Sequence, residues 1–204
     1  MTKPPYHHGD LANALVEAAL KVVETAGADA LSLRDLAASL GVSRAAPYRH
    51  FADRDALLAV VATQGFEALA DVYQAAGAGT GDGPARMRKA MRDYMHFAWS
   101  RPGLHRLMFE SDLLRRNPIE PGLEAAYKRT FETLRRALAQ AYPGASRGWL
   151  RRRRVTMIST VVGFLVLNEA GRFTAAWMDP LPRDAQVEAI LDVAIGEPPP
   201  LTPS

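Results

Sequence analysis

The chain has 204 residues, of which 48% are hydrophobic and 23% are charged, which is typical of a globular protein able to bury a core. It has no cysteine, which excludes disulfides, iron–sulfur clusters, thiolate zinc sites and cysteine nucleophiles. The net charge of +3 does not arise at the start of the chain, because residues 1–60 carry six Lys and Arg against seven Asp and Glu.

Targeting and membrane signals are absent from the pattern of apolar residues. No run of about 18 uninterrupted apolar residues occurs, and the opening MTKPPYHHGD lacks the apolar core of a signal peptide. We therefore expect a soluble cytoplasmic protein with no membrane partner. The adjacent His7 and His8 are interpreted as solvent-exposed residues.

The first 75 residues predict four helices with polar caps and glycine stops. Apolar residues recur at steps of three and four, which places them on one face of each helix. Ser32, Ser43 and Asp53 can each cap a helix start, while Gly27 and Gly41 can each end a helix. The predicted spans are Asp10–Ala26, Ser32–Leu40, Ser43–Phe51 and Arg54–Ala75.

A glycine-rich stretch, AAGAGTGDGPA at Ala75–Ala85, separates these helices from a second helical region. Helical spacing continues to about residue 195, and no alternating strand pattern of useful length appears. The sequence thus predicts an all-α fold with a first helical region at 1–58, a second at 59–195, and a disordered tail at 196–204. The predicted helices of the second region are Pro84–Ser100, a short one around Leu104–Met108, Leu123–Tyr142, Trp149–Arg172 and Arg183–Ile195.

The second and third predicted helices, joined by a tight turn at Gly41, describe a helix-turn-helix. The helix after the turn carries Arg44, Tyr48, Arg49 and His50, all of which can donate hydrogen bonds to phosphates or to base edges. This composition favours a DNA-reading role over a helical hairpin that serves only as core.

The stretch LSLRDLAASLGVSRAAPYRHFADRDALL, Leu31–Leu58, resembles the DNA-binding domain of the tetracycline-repressor (TetR) family of bacterial transcriptional regulators. The segments YHHGDL and RPGLHRLMF, at Tyr6–Leu11 and Arg101–Phe109, resemble one branch whose C-terminal domain often carries a His-Gly pair. The matching place here reads Val162-Gly163. The resemblance implies that residues 1–58 form an N-terminal three-helix DNA-binding domain, and that residues 59–195 form a larger helical domain that binds a small effector and dimerises.

The resemblance also implies which residues meet DNA. Arg44, Ala45 and Arg49 would face the major groove, and the residues around them would hold the sugar–phosphate backbone. The full implied set is Ser32, Arg34, Ser43, Arg44, Ala45, Pro47, Tyr48, Arg49, His50 and Arg54.

Pro47 is unusual because it falls in the first turns of the predicted reading helix. Proline has no N–H to bond the Ser43 carbonyl, so we expect a tighter or tilted first turn. We hypothesise that the ring of Pro47 also meets a thymine methyl.

Two apolar helices in the second region predict a dimer interface. The stretch ISTVVGFLVL, Ile158–Leu167, is apolar almost all round, and the resemblance implies that it forms an intersubunit four-helix bundle with the last helix. The expected interface residues are Ile158, Val162, Gly163, Val166, Val187, Ile190 and Leu191.

Methionines and aromatic residues at helical spacing form a candidate effector pocket, with ordinary core as the alternative. The resemblance favours the pocket. Its expected residues are Met91, Tyr94, Met95, Trp99, His105, Met108, Phe109, Tyr127, Phe131 and Asn168.

Two other functions are consistent with single features. His96 and His105 are nine residues apart with Glu110 and Asp112 nearby, but they do not form an HExxH metal site, so we expect no catalytic residue, metal or cofactor. The run Arg151–Arg154 would suit a non-specific or architectural DNA-binding protein, although four like charges near a helix start are typical of a solvated surface. The preferred function is a bacterial homodimeric repressor that binds double-stranded operator DNA, lies on the nucleoid when bound, and is released by an unknown small-molecule effector.

Overall fold

A computed structural model describes residues 11–116, 118–173 and 181–196 of the chain. The described residues form helices and contain no strand, so the predicted all-α class is confirmed. Of the expected tail at 196–204, Gly196 is described as the residue that ends α8, and residues 197–204 lie outside the described residues, as do the first ten residues with His7 and His8. The helices are α1 Leu11–Ala26, α2 Leu33–Ser39, α3 Arg54–Ala78, α4 Gly83–Ser100, α5 Pro102–Glu110, α6 Pro121–Ala141, α7 Arg147–Glu169 and α8 Arg183–Ile195, with 3-10 turns at Ala28–Ala30, Pro47–Arg49 and Leu113–Arg115.

Side-chain caps fix two of the predicted helix starts. The hydroxyl of Ser32 accepts a hydrogen bond from the Asp35 N–H at 3.4 Å, and the carboxylate of Asp53 accepts one from the Ala56 N–H at 2.8 Å. Both caps satisfy a backbone donor that the first helical turn leaves unpaired. Gly41 follows α2 with a positive φ of 70°, a backbone conformation that glycine adopts without steric cost.

The segment after this turn differs from the prediction. The continuous helix expected over Ser43–Phe51 is wrong, because only Pro47–Arg49 is helical and it is a 3-10 turn. The N–H of Ala46 donates to the Ser43 carbonyl at 2.9 Å, so a three-residue spacing replaces the four-residue bond that Pro47 cannot make. The next such bond runs from the Arg49 N–H to the Ala46 carbonyl at 3.2 Å. Two tight turns therefore stand in place of an α-helix.

Residues 1–66 and 101–127 form one compact unit, which we call unit 1. In it, α1 packs against α2, the 3-10 turn at Pro47–Arg49 and α5. The Glu24 carboxylate accepts the N–H groups of Gly103 at 3.0 Å and of Leu104 at 3.2 Å, so a side chain of α1 caps the start of α5. A Cβ atom on Gly103 would overlap the Val23 carbonyl oxygen, so glycine is what permits this close packing.

Residues 67–100 and 128–204 form the second compact unit, unit 2. Its helix α8 packs against both α7 and α4. Side chains that are fully buried here include Tyr73, Met87, Met91 and Tyr94. The division between the units falls within α3, after Phe66. Packing units need not coincide with functional domains, so the predicted domain boundary at residue 58 stays a prediction.

Helix α3 is the one described helix that is long and apolar enough to cross a membrane by length and composition. However, 56% of its apolar window is buried inside the chain. The core helix of a soluble protein passes the same test, so this feature is weak evidence for a membrane span.

Candidate nucleic-acid interface

The segment 43–50 holds a set of exposed side chains on a buried base. Pro47 and Phe51 are buried, and the tight turn between them packs against α1 and α2. Outward from this base, the side chains of Ser43, Arg44, Ala45, Tyr48, Arg49 and His50 are all exposed. A rigid base with exposed donors is the arrangement that a groove-reading element requires.

Tyr48 is the most distinctive residue of this surface. Its side chain is 51% exposed although aromatic residues of its size are usually covered. A phenol ring beside arginines can lie along a sugar–phosphate backbone and donate its hydroxyl to a phosphate oxygen.

The arginines of this surface lack internal partners. Within the described part of the chain, no carboxylate pairs with the guanidinium of Arg34, Arg44 or Arg49. Residues 32–50 contain a single acidic residue, Asp35. These guanidinium groups are therefore free to meet phosphate oxygens or guanine edges.

Pro47 is placed differently from the other members of the predicted set. Its ring is buried beneath the exposed side chains. This burial favours a packing role, in which the ring anchors the turn, over the hypothesised contact with a thymine methyl.

Arg54 also forms hydrogen bonds and ion pairs within unit 1. Its Nη2 donates to the Ala28 carbonyl at 2.6 Å and lies 3.4 Å from the Asp29 carboxylate, while Nη1 lies 3.4 Å from the Asp55 carboxylate. This arrangement favours a structural role in holding the loop after α1 over the predicted phosphate grip. Pairing across 26 residues leaves no signal in a local sequence pattern.

At the start of α2, Ser32 and Arg34 have different environments. The Ser32 hydroxyl is half-buried and already accepts the capping hydrogen bond, but its own proton remains available to donate. The Arg34 side chain is exposed in the first turn. Both can therefore reach a phosphate next to the groove that the turn would enter.

Comparison with known proteins identifies this arrangement. The model of the "Bacterial regulatory proteins, tetR family" matches residues 15–61, and the model of the "Tetracyclin repressor-like, C-terminal domain" matches residues 87–194, more than half of the chain. The chain belongs to the TetR family. Its helix-turn-helix is thus the DNA-binding part of a TetR-family transcriptional regulator, a class of DNA-binding proteins and not of enzymes.

Solved structures resemble the whole chain. A protein of unknown function from Rhodococcus sp. RHA1 is 31% identical, with a TM-score of 0.77 over 95% of this chain and 97% of that one. A TetR-family regulator from Marinobacter aquaeolei VT8 is 19% identical, with a TM-score of 0.67 over 92% of this chain and 94% of that one. The TetR-family regulator PfmR from Thermus thermophilus is 19% identical, with a TM-score of 0.63 over 89% of this chain and 96% of that one. No curated protein sequence matches the chain.

The predicted interface residues of this TetR-family chain divide into outer and inner positions. Ile158, Val162, Gly163, Val166 and Ile190 are half-buried, whereas Val187 and Leu191 are buried within unit 2, where α8 packs on α7 and α4. The most exposed apolar side chains of these helices were missed by sequence reasoning. They are Val155 at 59%, Leu167 at 45% and Val193 at 60% exposure.

The predicted effector residues fall into both compact units. Met91, Tyr94 and Met95 are fully buried in unit 2, which also holds the half-buried Trp99, Phe131 and Asn168. Unit 1 holds His105, Met108, Phe109 and Tyr127. In unit 1, the ring of Phe66 meets those of Phe109 and Tyr127 edge-on, with centroids 5.6 and 5.4 Å apart.

Sequence reasoning missed a cavity of about 360 Å³ in unit 2, between α3 and α6. Tyr73, Thr133 and Gln140 are among its lining residues. The Tyr73 hydroxyl is buried with no hydrogen-bond partner in the described part of the chain, and this burial raises the pKa of Tyr73. A buried hydroxyl without a partner costs about 1–3 kcal/mol, so a ligand that accepts a hydrogen bond from this hydroxyl would be stabilised here. Its sequence signal was only an aromatic residue on an apolar helix face, which is typical of core.

The described residues contain no group of three His, Asp or Glu side chains able to hold a metal ion.

Proposed function

We propose that this TetR-family regulator is a homodimeric repressor that binds operator DNA and is released from it by a small-molecule effector. The observation that carries the proposal is the exposed set Arg44, Tyr48 and Arg49 on the buried base of Pro47 and Phe51. The protein would act in the bacterial cytoplasm, on the nucleoid when DNA-bound.

Arg44 and Arg49 are proposed to read base edges, and Tyr48, His50, Arg34 and Ser32 to hold the backbone. One such turn makes few contacts, so specific binding requires two copies about one helical turn, roughly 34 Å, apart on the DNA or a multiple of that distance. The two copies are supplied by a dimer.

The dimer is proposed to form through the outer faces of α7 and α8. Val155, Leu167 and Val193 leave apolar surface open to solvent in the single chain. A Cβ atom on Gly163 would meet nothing within 4 Å, so a partner helix could approach the backbone closely at this point. A four-helix bundle of two α7 and two α8 helices would cover this surface.

The effector is proposed to bind in unit 2, where the cavity beside Tyr73 adjoins an interior rich in methionine and aromatic side chains. An amphipathic molecule with a hydrogen-bond acceptor fits this lining, which combines Ala78 and Ala137 with the polar Thr133, Arg136 and Gln140. Suppose that the effector binds more tightly to a conformation in which the two reading turns are wrongly spaced for the operator. The effector would then weaken DNA affinity by the ratio of its own affinities for this conformation and for the DNA-binding one. Operator DNA must then weaken effector binding by the same factor.

The test is fluorescence anisotropy of the full chain on the intergenic DNA beside its own gene, in excess unrelated duplex. We expect the wild-type complex with the specific site to persist in the presence of the competitor. Arg44→Ala should weaken the binding free energy by about 1–3 kcal/mol, mainly on the specific site. Tyr48→Phe removes only a hydroxyl and should weaken binding to all duplexes similarly. Arg101→Ala, which removes an exposed arginine elsewhere in unit 1, is the matched control and should bind as wild type does.

If wild type and both variants bind every duplex alike, the turn does not read sequence. Non-specific or architectural binding would then replace the proposed repressor, since such binding rests almost wholly on phosphate contacts.

A further inference from the structure

The four arginines of the run Arg151–Arg154 lie in three different environments. Arg153 is part of the packing of unit 2, because its guanidinium lies 5.0 Å from the centre of the Trp149 ring and donates to the Ala194 carbonyl at 3.4 Å. Arg152 is exposed on another side of α7. Arg151 and Arg154 line a groove between α6 and α7.

This groove, which we call the α6–α7 groove, has a volume of about 330 Å³. Arg147, Arg151 and Arg154 follow one another at steps of four and three, so they share one face of α7. The half-buried Ala139, from α6, and Leu150 supply apolar surface beside the arginines. The groove thus combines a row of cations with an apolar floor.

The arginine row lacks counter-ions in the described part of the chain. Residues 147–154 contain no acidic residue, and no ion pair involves Arg147, Arg151 or Arg154. The nearest acidic residue along α6, Glu132, is paired with Arg135 and Arg136, and these guanidinium groups lower its pKa to about 2. Within the residues that the structure describes, no carboxylate therefore neutralises the row.

The row is also unfavourable for folding. Like charges four residues apart repel, and cations in the first turns of a helix oppose its dipole. Arg147 is the first residue of α7 and Arg151 lies one turn later. Such local costs are typical of positions that serve binding and not stability.

We propose that the α6–α7 groove binds a small organic oligophosphate, a molecule with two or more linked phosphate groups on an apolar or aromatic body. Guanidinium groups pair with phosphate oxygens in bidentate geometry, and a row of three suits a linear chain of phosphates. The apolar floor at Ala139 and Leu150 would cover the organic part of the ligand. Duplex DNA fits less well, because a phosphate backbone would leave this concave apolar floor uncovered.

The test is isothermal titration calorimetry of the full chain at 150 mM salt with adenosine diphosphate and with inorganic pyrophosphate as probes. We expect adenosine diphosphate to bind in one-to-one ratio per chain and at least threefold more tightly than pyrophosphate. The double variant Arg151→Gln with Arg154→Gln should weaken binding at least tenfold. Arg152→Gln, which removes the same charge from the same run outside the groove, should stay within twofold of wild type.

A second measurement separates loss of the site from loss of the fold. Removing two mutually repelling charges should leave the melting temperature of the free double variant unchanged or raised, while the rise that adenosine diphosphate gives to wild type should be lost. Leu150→Ala should reduce the ratio of the affinities for adenosine diphosphate and pyrophosphate, because it removes apolar surface that only the adenosine part would contact.

Three results would each overturn the proposal. They are no binding of either probe, equal weakening by Arg152→Gln, and displacement of the probe by unrelated duplex DNA that itself loses affinity in the double variant. The last result would make the groove a DNA-contacting surface. None of these titrations involves the helix-turn-helix, so their outcome is independent of the proposed repressor function.

Discussion

At the scale of single residues, two ionisable side chains of unit 1 are wholly or partly buried: Glu24 is half-buried and His105 is buried. Glu24 accepts two backbone N–H groups at the start of α5. His105, in the same helix, is 1% exposed and its ring lies 5.0 Å from that of Phe109. Glu24 caps the start of α5 through its carboxylate oxygens, whereas burial of His105 favours its uncharged form.

His105 predicts a specific pH dependence of stability. Burial lowers the pKa of His105 from 6.5 to about 4, so the unfolded chain binds a proton in this range that the folded chain does not. Stability should therefore fall as the pH falls from about 6.5 to 4, by up to about 3 kcal/mol from this group. Urea unfolding at pH 7 and pH 5, for wild type and His105→Gln, measures the difference.

We expect the variant to lose less stability between these two pH values than wild type. His96→Gln changes an exposed histidine and is the matched control, which should follow wild type. Equal pH slopes for His105→Gln and wild type would mean that His105 titrates alike in the folded and unfolded chains.

At the scale of elements, the segment after α2 is where the sequence pattern and the structure differ. Caps and glycine stops located α1, α2 and α3 within a few residues, because these signals act through neighbouring backbone groups. The sequence predicts an α-helix over Ser43–Phe51 with a tighter or tilted first turn at Pro47, whereas the 3-10 spacing extends to Arg49. Burial of its ring, which depends on packing against distant residues, is invisible to periodicity.

Pro47→Ala tests what this proline does. Since the ring is buried, its loss should loosen the turn that presents Arg44 and Tyr48. We expect operator affinity to fall while the order of preference among operators with single base changes stays that of wild type. Anisotropy titrations on a set of such operators measure both quantities. A preference that changes at one thymine alone would instead support a contact between the ring and a thymine methyl.

The same limit applies to the ion pairs of unit 1. The resemblance implied that Arg54 contacts a phosphate, yet its partners Ala28 and Asp29 lie 26 and 25 residues away in sequence. Arg44 and Arg49 were assigned by the same resemblance, and the described structure leaves them unpaired. The sequence resemblance therefore predicts the reading surface as a whole, while packing separates Arg54, which has partners within unit 1, from Arg44 and Arg49, which have none in the described part of the chain.

At the scale of the whole molecule, periodicity identified α7 and α8 as apolar helices but could not tell which face the chain itself covers. Val187 and Leu191, predicted at the interface, are buried within unit 2. Val155 and Val193, which the prediction omitted, are exposed. On α8 the exposed face is therefore turned away from the predicted residues Val187 and Leu191, whereas on α7 Val155 lies on the predicted face, which includes Gly163.

Gly163 gives the sharpest test of the proposed dimer, because a Cβ atom there would meet nothing within 4 Å in the single chain. Gly163→Arg should leave the monomer folded, since the side chain points into open space and arginine favours helix more than glycine does. In a bundle of two α7 and two α8 helices the same guanidinium would be buried without a partner, so we expect the dimer to dissociate at least a hundredfold more readily. Sedimentation velocity over a range of protein concentrations, with circular dichroism as the check on folding, measures this.

Gly163→Ala is the control that separates the effect of helix propensity from the effect of placing a large side chain in the interface. It should stabilise the helix by about 0.5–1 kcal/mol and disturb the dimer far less than arginine does. If Gly163→Arg sediments as wild type does, α7 lies outside the interface. If wild type itself is a monomer at micromolar concentration, the proposal that a dimer supplies two reading turns is wrong. A folded monomeric Gly163→Arg that also loses specific DNA binding would instead tie the dimer to operator recognition, because Arg44 and Tyr48 remain intact in it.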